Sequence, residues 1–347
     1  MKKKILRYGC GVDMGKDKFS ACISIISEDL TVKINAQRTF KNTIEGIKKF
    51  IEWYMRKCNK EVVNQIFVEV TGVYHEKLLY ACHNERLQIS LVLGKRVKNY
   101  RISAGFDSKT DKEDAQAIAH MSCTQTGDPW KPMCSNFLEL RELNRYRNKL
   151  VETLTQQKNR LHASKHKGSS FLELSRSIKR MIKSLNKEIE LLEGKLNKII
   201  AKDKEVSKKI ERILTIPSIG KLTVLTLISE TNGFLEFTSI KQLESFAGLD
   251  IIENQSGSLS GKTRISKNGN KNIRGSLYMP SISILSTKKG WLYDYYLRQV
   301  AKLGKDPKNK KKALVALQRK LLILVYTIWK KGDEYVDYYH LKTEKAA

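Results

Sequence analysis

Lys109-Thr110-Asp111-Lys112-Glu113-Asp114-Ala115-Gln116-Ala117-Ile118-Ala119 is the stretch whose reading decides the fold. Thr110 followed by Glu113 has the spacing of a capping box, so Thr110 is read as the N-cap of a helix that Ala117, Ile118 and Met121 carry into a core. Asp111 and Asp114 then share one face of its first turn. Two carboxylates held that close repel each other, and a divalent cation between them relieves the repulsion. Taken alone, an Asp-x-x-Asp pair is explained as readily by the positive end of the helix dipole. The residues upstream change the balance.

Tyr8 to Asp13, Lys18 to Ser27 and Thr31 to Phe40 are runs rich in Ile, Val, Phe and Thr, which predicts three strands in an antiparallel meander. Ile44, Ile47, Phe50, Ile51 and Tyr54 recur at helical spacing, and Gln65 to Val70 reads as a buried strand. A helix from about Tyr74 to Asn84 and a strand from Gln88 to Leu93 follow. Three strands, a helix, then alternating strands and helices is the element order of an RNase H-like α/β domain. Asp13 then ends the first strand, Glu69 ends the fourth, and the helix bearing Asp111 and Asp114 can pack across both ends. Singly, Asp13 is an ordinary turn residue and Glu69 an exposed strand end. Four carboxylates converging on one pocket stay ionised only beside Mg²⁺ or Mn²⁺. Two such ions ~4 Å apart can activate a nucleophile and stabilise the leaving oxygen in phosphodiester cleavage.

The chain has 347 residues, of which 65 are Lys or Arg and 36 Asp or Glu, a formal charge of +29. That excess speaks against an enzyme of small neutral substrates and for a polyanionic partner. The cations are spread along the whole chain, as suits a surface that tracks a nucleic-acid backbone. Lys95, Arg96, Lys98, Arg101 and Lys109, interleaved with Tyr100 and Phe106, read either as a solvated basic face or as contacts to backbone and bases beside the acids. The longest apolar run, Leu321 to Trp329, falls short of the ~20 residues that cross a bilayer. Six cysteines without a Cys-x-x-Cys pair fit a reducing compartment, and the expected location is cytoplasmic.

From Phe137 the pattern turns to long helices. Leu143, Leu150, Leu154 and Leu161, then Leu174, Ile178, Met181, Leu185, Ile189, Leu192, Leu196 and Ile199, predict a helical hairpin or coiled coil broken near Lys167-Gly168-Ser169-Ser170. It is read as a dimerisation arm, with an intrachain bundle as the alternative. Thr215-Ile216-Pro217-Ser218-Ile219-Gly220-Lys221 opens the next helix like the hairpin of a helix-hairpin-helix motif, whose amides can bind phosphate. Glu253 to Asn270 is a Gly- and Ser-rich loop with cations Lys262, Arg264 and Lys267, and Lys271 and Arg274 start the helix after it. Ser256 beside Gly257 would let a phosphate backbone approach, but a serine hydroxyl needs a base or metal brought from elsewhere. Lys302 to Lys320 is basic, Leu321 to Trp329 reads as a buried closing helix, and Val336 to Ala347 as a frayed tail.

Gly11-Val12-Asp13-Met14-Gly15, Val68-Glu69-Val70-Thr71-Gly72-Val73-Tyr74 and the Lys-Thr-Asp-x-x-Asp-Ala run at Asp111 and Asp114 resemble the DEDD transposases of bacterial insertion sequences, the IS one-ten and eleven-eleven group related to the Piv invertases. Gly248-Leu249, Ser256-Gly257, Ile265-Ser266-Lys267-x-Gly-Asn and Arg274 match the same family, so the resemblance covers nearly the whole chain. It implies a RuvC-like domain at 1–126, a coiled-coil dimerisation region at 127–210, a mostly helical transposase domain at 211–335 and a tail at 336–347. It also implies Mg²⁺ bound by Asp13, Glu69, Asp111 and Asp114, and attack of Ser256 on DNA to give a covalent phosphoserine. Acids and serine would come from different protomers of a homodimer, or of a homotetramer as the synaptic complex. A bridge RNA would choose donor and target DNA, and no membrane is involved. The implied phosphate contacts are the cations of the 95–109 run together with Lys221, Lys262, Arg264, Lys267, Lys271 and Arg274. Ser218 stands where the family hairpin usually has Gly and His75 where an aromatic often follows Val-Tyr, neither touching a proposed catalytic group; Asp250-Ile251 stands where an apolar-Pro pair usually precedes the loop, so Ser258 and Ser260 stand as alternatives to Ser256. Two other readings remain: a RuvC-like nuclease using metal-activated water, and a non-catalytic nucleic-acid-binding architectural protein.

Overall fold

The computed structural model describes residues 4–59, 61–70, 72–106, 110–165, 172–253, 255–256, 259–261 and 263–337. The chain divides into two compact units, Met1–Pro132 and Met133–Ala347.

In the first unit, β1 (Ile5–Met14), β2 (Lys18–Ser27) and β3 (Val32–Lys41) form the antiparallel meander, followed by α1 (Ile44–Lys57), β4 (Val63–Glu69), α2 (Glu76–Asn84), β5 (Ile89–Val92), α3 (Gly94–Ser103) and α4 (Asp111–Thr124). The sheet order is β3-β2-β1-β4-β5, with β4 parallel to β1 and β5 parallel to β4. This is the RNase H-like, RuvC-like arrangement. Alternation along the strands sorts the residues to two faces. Tyr8, Cys10, Val12 and Met14 of β1 pack with Phe19, Ala21, Ile23, Phe40, Ile66 and Val68 against Ile47, Phe50, Ile51 and Tyr54 of α1 and Leu78 and Leu79 of α2. The intervening residues, Gly11 and Asp13 among them, belong to the face that α4 covers. There Cys22 meets Ala115 and Ala119, and Phe67 meets Ile118 and Met121. A Cβ on Gly11 would stand 2.1 Å from the Ala119 nitrogen, so α4 lies directly on the β1 backbone and only glycine fits between.

The basic run after β5 is a helix, α3, which rests on Val97 as its single buried residue. Its apolar content is too low for a period to show in the sequence. Five of the six cysteines are buried free thiols, and burial pushes Cys22, Cys58 and Cys82 up to about 12, which leaves them unreactive at neutral pH.

The second unit begins with α5 (Ser135–Lys165) and α6 (Leu172–Lys202), long helices that pack on each other, followed by α7 (Lys204–Ile213), α8 (Lys221–Glu230) and α9 (Ile240–Ala247). A ribbon follows, with β6 (Ile251–Ile252) paired to β9 (Arg264–Ile265) and β7 (Gln255–Ser256) paired to β8 (Leu259–Ser260). The unit closes with α10 (Lys271–Ser276), α11 (Tyr278–Thr287), α12 (Trp291–Leu303) and α13 (Pro307–Lys331). Leu140 of α5 and Leu196, Ile199 and Ile200 of α6 share one core with Ile210, Ile213, Leu227, Phe234, Leu321 and Trp329. From Pro307 onward the basic stretch and the closing apolar stretch are one helix. Asp306 caps α13 by accepting from the Lys308 and Asn309 nitrogens, and Leu314, Leu317, Leu321, Val325 and Ile328 line its buried side. Among the described residues no helix is long and apolar enough to cross a membrane.

Candidate active site

Each unit carries one of the chemical groups that the sequence singles out. In the first unit, Asp13 on β1 and Glu69 on β4 stand at the carboxyl ends of adjacent parallel strands, and Asp111 and Asp114 stand in the first turn of α4. Three contacts fix that turn. The Thr110 hydroxyl accepts from the Glu113 nitrogen at 3.3 Å, Gln37 of β3 donates to the Lys112 carbonyl at 2.8 Å, and Gln116 donates to Gln37 at 2.8 Å. At the other end Gln65 donates to the Ser122 carbonyl at 2.7 Å. The helix is therefore pinned along its length, and its acidic start has one position relative to the sheet.

Asp13 is half-buried, and its carboxyl is raised to about 6, first by burial and then by the negative charges of Asp114, Glu69 and Asp111. The four acids thus share one electrostatic neighbourhood. Their donors are hard oxygens, the set that suits Mg²⁺ or Mn²⁺. The donor chemistry suits a divalent ion, but among the described residues no three acidic, histidine or cysteine groups stand close enough together to hold one. One cause is visible. Arg101 of α3 places Nη1 on Asp114 Oδ1, both side chains being largely buried, and so draws one carboxylate toward α3. Glu69 leans the same way, since a Cβ on Gly94, the first residue of α3, would stand 2.6 Å from Glu69 Oε1. The Tyr100 hydroxyl lies 2.7 Å from His120 Nδ1 and 2.8 Å from Thr124 Oγ1, which fastens α3 to α4.

Of the cations expected to meet nucleic acid, Lys95 and Lys98 are exposed on α3, while Arg96 donates to Gln125 at 2.7 Å. Lys109 and Lys262 lie outside the described residues. In the second unit Lys221, Arg264, Lys267 and Lys271 are exposed. Arg264 lines a cleft of about 1260 Å³ together with Lys308 and Lys312. Arg274 turns inward and donates to the Ala247 carbonyl at 2.7 Å. Arg101 and Arg274 therefore have internal partners rather than open charge.

Ser256 pairs with Leu259 in the β7–β8 hairpin, and Ser260 pairs with Gln255; Ser258 lies outside the described residues. The stretch read as a loop is thus partly a ribbon, built on strands too short to hold themselves. Its support lies at the base. The Ser266 nitrogen donates to the Asp250 carbonyl at 2.9 Å, the Ser266 hydroxyl bonds Asp250 Oδ1, and the Asn270 nitrogen donates to the Phe246 carbonyl at 2.7 Å. Asp250, a departure from the family pattern, therefore ties the two ends of the ribbon together.

Sequence reasoning passed over a carboxylate beneath this base. Glu230, at the end of α8, has a side chain only 2% exposed and accepts from Arg145 Nε and Nη2, Asn270 Nδ2 and Asn272 Nδ2, each at 2.7 Å. Burial alone would raise this carboxyl, but the hydrogen bonds from Arg145 and Asn270 outweigh it and hold the group below its usual value. An acid ending an otherwise apolar helix is the one sequence hint of such a group. Also passed over were Lys16, Lys18 and Lys41, which line a cleft of about 630 Å³ that reaches Asp111.

Two family models match the chain. A transposase model, DEDD Tnp IS110, spans residues 10–164, and a model for transposases of the IS116/IS110/IS902 family spans residues 210–297. The pilin gene-inverting protein of Moraxella lacunata is 26% identical over 319 residues, covering 92% of this chain and 94% of that protein, and the pilin gene-inverting protein of Moraxella bovis matches with the same figures. Among solved structures, Thermus thermophilus RuvC, alone and in complex with a Holliday junction substrate, aligns over 35% of this chain and 99% of its own at 14% identity and a TM-score of 0.28. The RuvC-like character of the first unit rests on its strand order and not on that overlap.

Proposed function

The chain belongs to the IS116/IS110/IS902 transposase family, is therefore a DNA-recombining enzyme dependent on divalent metal, and from that premise we propose that it exchanges DNA strands through Ser256 with Mg²⁺ held by Asp13, Glu69, Asp111 and Asp114. What supports this reading is placement: Asp13 and Glu69 stand at the carboxyl ends of adjacent parallel strands, and the first turn of α4, bearing Asp111 and Asp114, lies on the same face. A bound Mg²⁺ would stabilise charge growing on the phosphate oxygens. In the step itself the Ser256 hydroxyl oxygen attacks phosphorus and the P–O3′ bond breaks, leaving a 5′-phosphoserine and a free 3′-hydroxyl. The serine loses one proton, the 3′-oxygen gains one, and nothing is oxidised or reduced.

The acids end a sheet that packing holds rigid, whereas the serine rides a ribbon, and in this reading, as the family resemblance implies, the two are supplied by different protomers. Leu172, Leu174 and Met181 are exposed along α6, which favours pairing of the α5–α6 arm with a second copy, as a homodimer or as a homotetramer in synapsis. In this reading residues 1–126 are the catalytic domain, 127–210 the dimerisation arm and 211–335 the serine domain. Lys95, Arg96, Lys98, Lys109, Lys221, Lys262, Arg264, Lys267 and Lys271 serve backbone phosphates, a bridge RNA directs the complex, and the enzyme works in the cytoplasm.

The test is trapping of cleaved DNA on denaturing gels. Ser256→Ala is expected to abolish the protein–DNA adduct and retain DNA binding, and Asp111→Asn to abolish cleavage. An adduct that persists in Ser256→Ala transfers the role to Ser258 or Ser260. Cleavage without any adduct replaces the serine by metal-activated water.

A further inference from the structure

The sheet face beneath α4 continues past the acids, and there its charge reverses. Asp13 pairs with Ser20 of β2, and Ser20 with Thr39 of β3, so these three form one row across the sheet. Two residues further along, about 7 Å by strand rise, Lys18 of β2 pairs directly with Lys41 of β3. By alternation this pair belongs to the same face as Asp13 and Glu69. Like charges directly opposite in a ladder destabilise the sheet unless an anion lies between them. None of Lys16, Lys18 and Lys41 has an ion-pair partner among the described residues, and all three are exposed. Together they line the 630 Å³ cleft whose wall includes Asp111. Asp17 is the other acid there, so cations outnumber acids at the cleft by three to two.

The cleft is also a fixed shape. The Gly15 nitrogen donates to the Lys18 carbonyl at 3.0 Å, closing the β1–β2 turn, and the Asn42 nitrogen donates to the Asp17 carbonyl at 2.9 Å. The Asn42 side-chain amide reaches both the Gly15 carbonyl at 3.0 Å and the Tyr74 carbonyl at 3.1 Å. The turn that carries Lys16 is therefore held to the end of β3 and to the chain before α2, and the three ammonium groups branch from a rigid floor.

We propose that Lys16, Lys18 and Lys41 form a phosphate-binding step for the phosphodiester backbone of the strand being cut, one strand-residue pair beyond the acids. The inference rests on the reading of the acid cluster as the cleavage site and adds the direction in which the strand leaves it, across the β1–β2 turn. A polyanion bound there neutralises the Lys18–Lys41 pair. The same contacts hold the scissile phosphate against the acids, which alone would repel it.

The test compares two triple variants of the full chain, Lys16→Ala/Lys18→Ala/Lys41→Ala and, as a control of equal charge loss in the same unit, Lys33→Ala/Lys49→Ala/Lys57→Ala. Binding of a fluorescent single-stranded DNA oligonucleotide is titrated against KCl. The first variant is expected to lower the slope of log K against log salt by about 2, at about 0.7 per lost phosphate contact, and to reduce affinity at least tenfold at low salt. The control is expected to change neither by more than a fraction of that. Lys18→Arg/Lys41→Arg is expected to keep the parent slope, and a thermal melt of the first triple variant at or above the parent value excludes misfolding as the cause. Equal slopes for the two triple variants overturn the proposal, as does a loss confined to an RNA oligonucleotide of the same sequence. If the parent chain cleaves DNA and Asp111→Asn does not, these outcomes remove the lysine step alone. If the parent chain cleaves nothing, the reading of the acid cluster fails first.

Discussion

The acid face of the first unit and the serine ribbon of the second are built on opposite plans. Asp13 and Glu69 end long strands of a five-stranded sheet, and α4 lies so close on β1 that its position is fixed by backbone contact at Gly11. Ser256 sits on a two-residue strand whose neighbours are two-residue strands, and the order in that region comes from its base, through Asp250, Asn270 and Glu230. Metal chemistry requires several oxygens held to within fractions of an ångström, which only packed elements provide. Under the proposed role of Ser256, the nucleophile is positioned through the base of its ribbon. Damage to the first region should therefore act through the fold, and damage to the second through the root.

The largest expected effect is at Gly11. Gly11→Val places atoms well inside contact distance of the α4 backbone, and a helix that buries Ala115, Ala117, Ile118, Ala119 and Met121 cannot shift without uncovering them. Displacing Ile118 and Met121 alone forfeits about 1.5–3 kcal/mol each. The variant is expected to lose the cooperative melt of the first unit and all cleavage, measured by circular dichroism and a nicking assay. A stable, cleaving Gly11→Val protein would break the contrast at its rigid end.

Next in size is Glu230. Glu230→Ala leaves Asn270 and Asn272 without their acceptor and Arg145 without its bidentate partner, at a cost of about 3 kcal/mol for a buried pair broken from one side. Arg145 is partly exposed, which limits the cost on its side. Chemical denaturation of the second unit should show this loss, and adduct formation should fall while metal-dependent stabilisation of the first unit stays unchanged. A variant with intact adduct formation would mean that the ribbon does not depend on its root.

The same contrast explains what was legible in the sequence. The acid face could be read because each acid is attached to a local signal: Thr110 and Glu113 announce the start of α4, and apolar runs end at Asp13 and Glu69. Strand order then follows from element order. The root of the ribbon could not be read, because Arg145 and Glu230 are 85 residues apart and Asn270 and Glu230 are 40 apart, and pairings at that range leave no pattern in a single chain. The lysine pair at Lys18 and Lys41 needed a register, which the alternation of β2 and β3 does not fix by itself. Helix α3 escaped because only Val97 is buried, and α13 because its basic first half hides the apolar period that its second half displays.

The smallest expected effect tests the acid face without disturbing its packing. Asp13 has a folded-state value of about 6 against an ordinary 3.8, so the metal-free folded protein favours the protonated carboxyl more than the unfolded chain does. The resulting stability is fully present below pH 3.8 and is lost as pH rises through about 6. Solvent reaches this half-buried group, so screening reduces the effect to about 1 kcal/mol, a few degrees in melting temperature. Glu230 changes stability in the opposite sense at low pH, because a lowered carboxyl loses its contribution as it is protonated. The measurement is therefore the difference between parent and Asp13→Asn, which cancels that background. In metal-free buffer the two should melt alike near pH 3.5, below the unfolded value of 3.8, and the variant should melt higher at pH 8, where the parent must carry a charge that burial first and its acidic neighbours second oppose. Mg²⁺ should close the gap at pH 8 by stabilising the parent alone, since the amide retains the other acids but loses a charged ligand. A gap that does not change with pH would mean that neither burial nor the charges of Asp114, Glu69 and Asp111 act on Asp13, and the acid face would then be four separate surface charges.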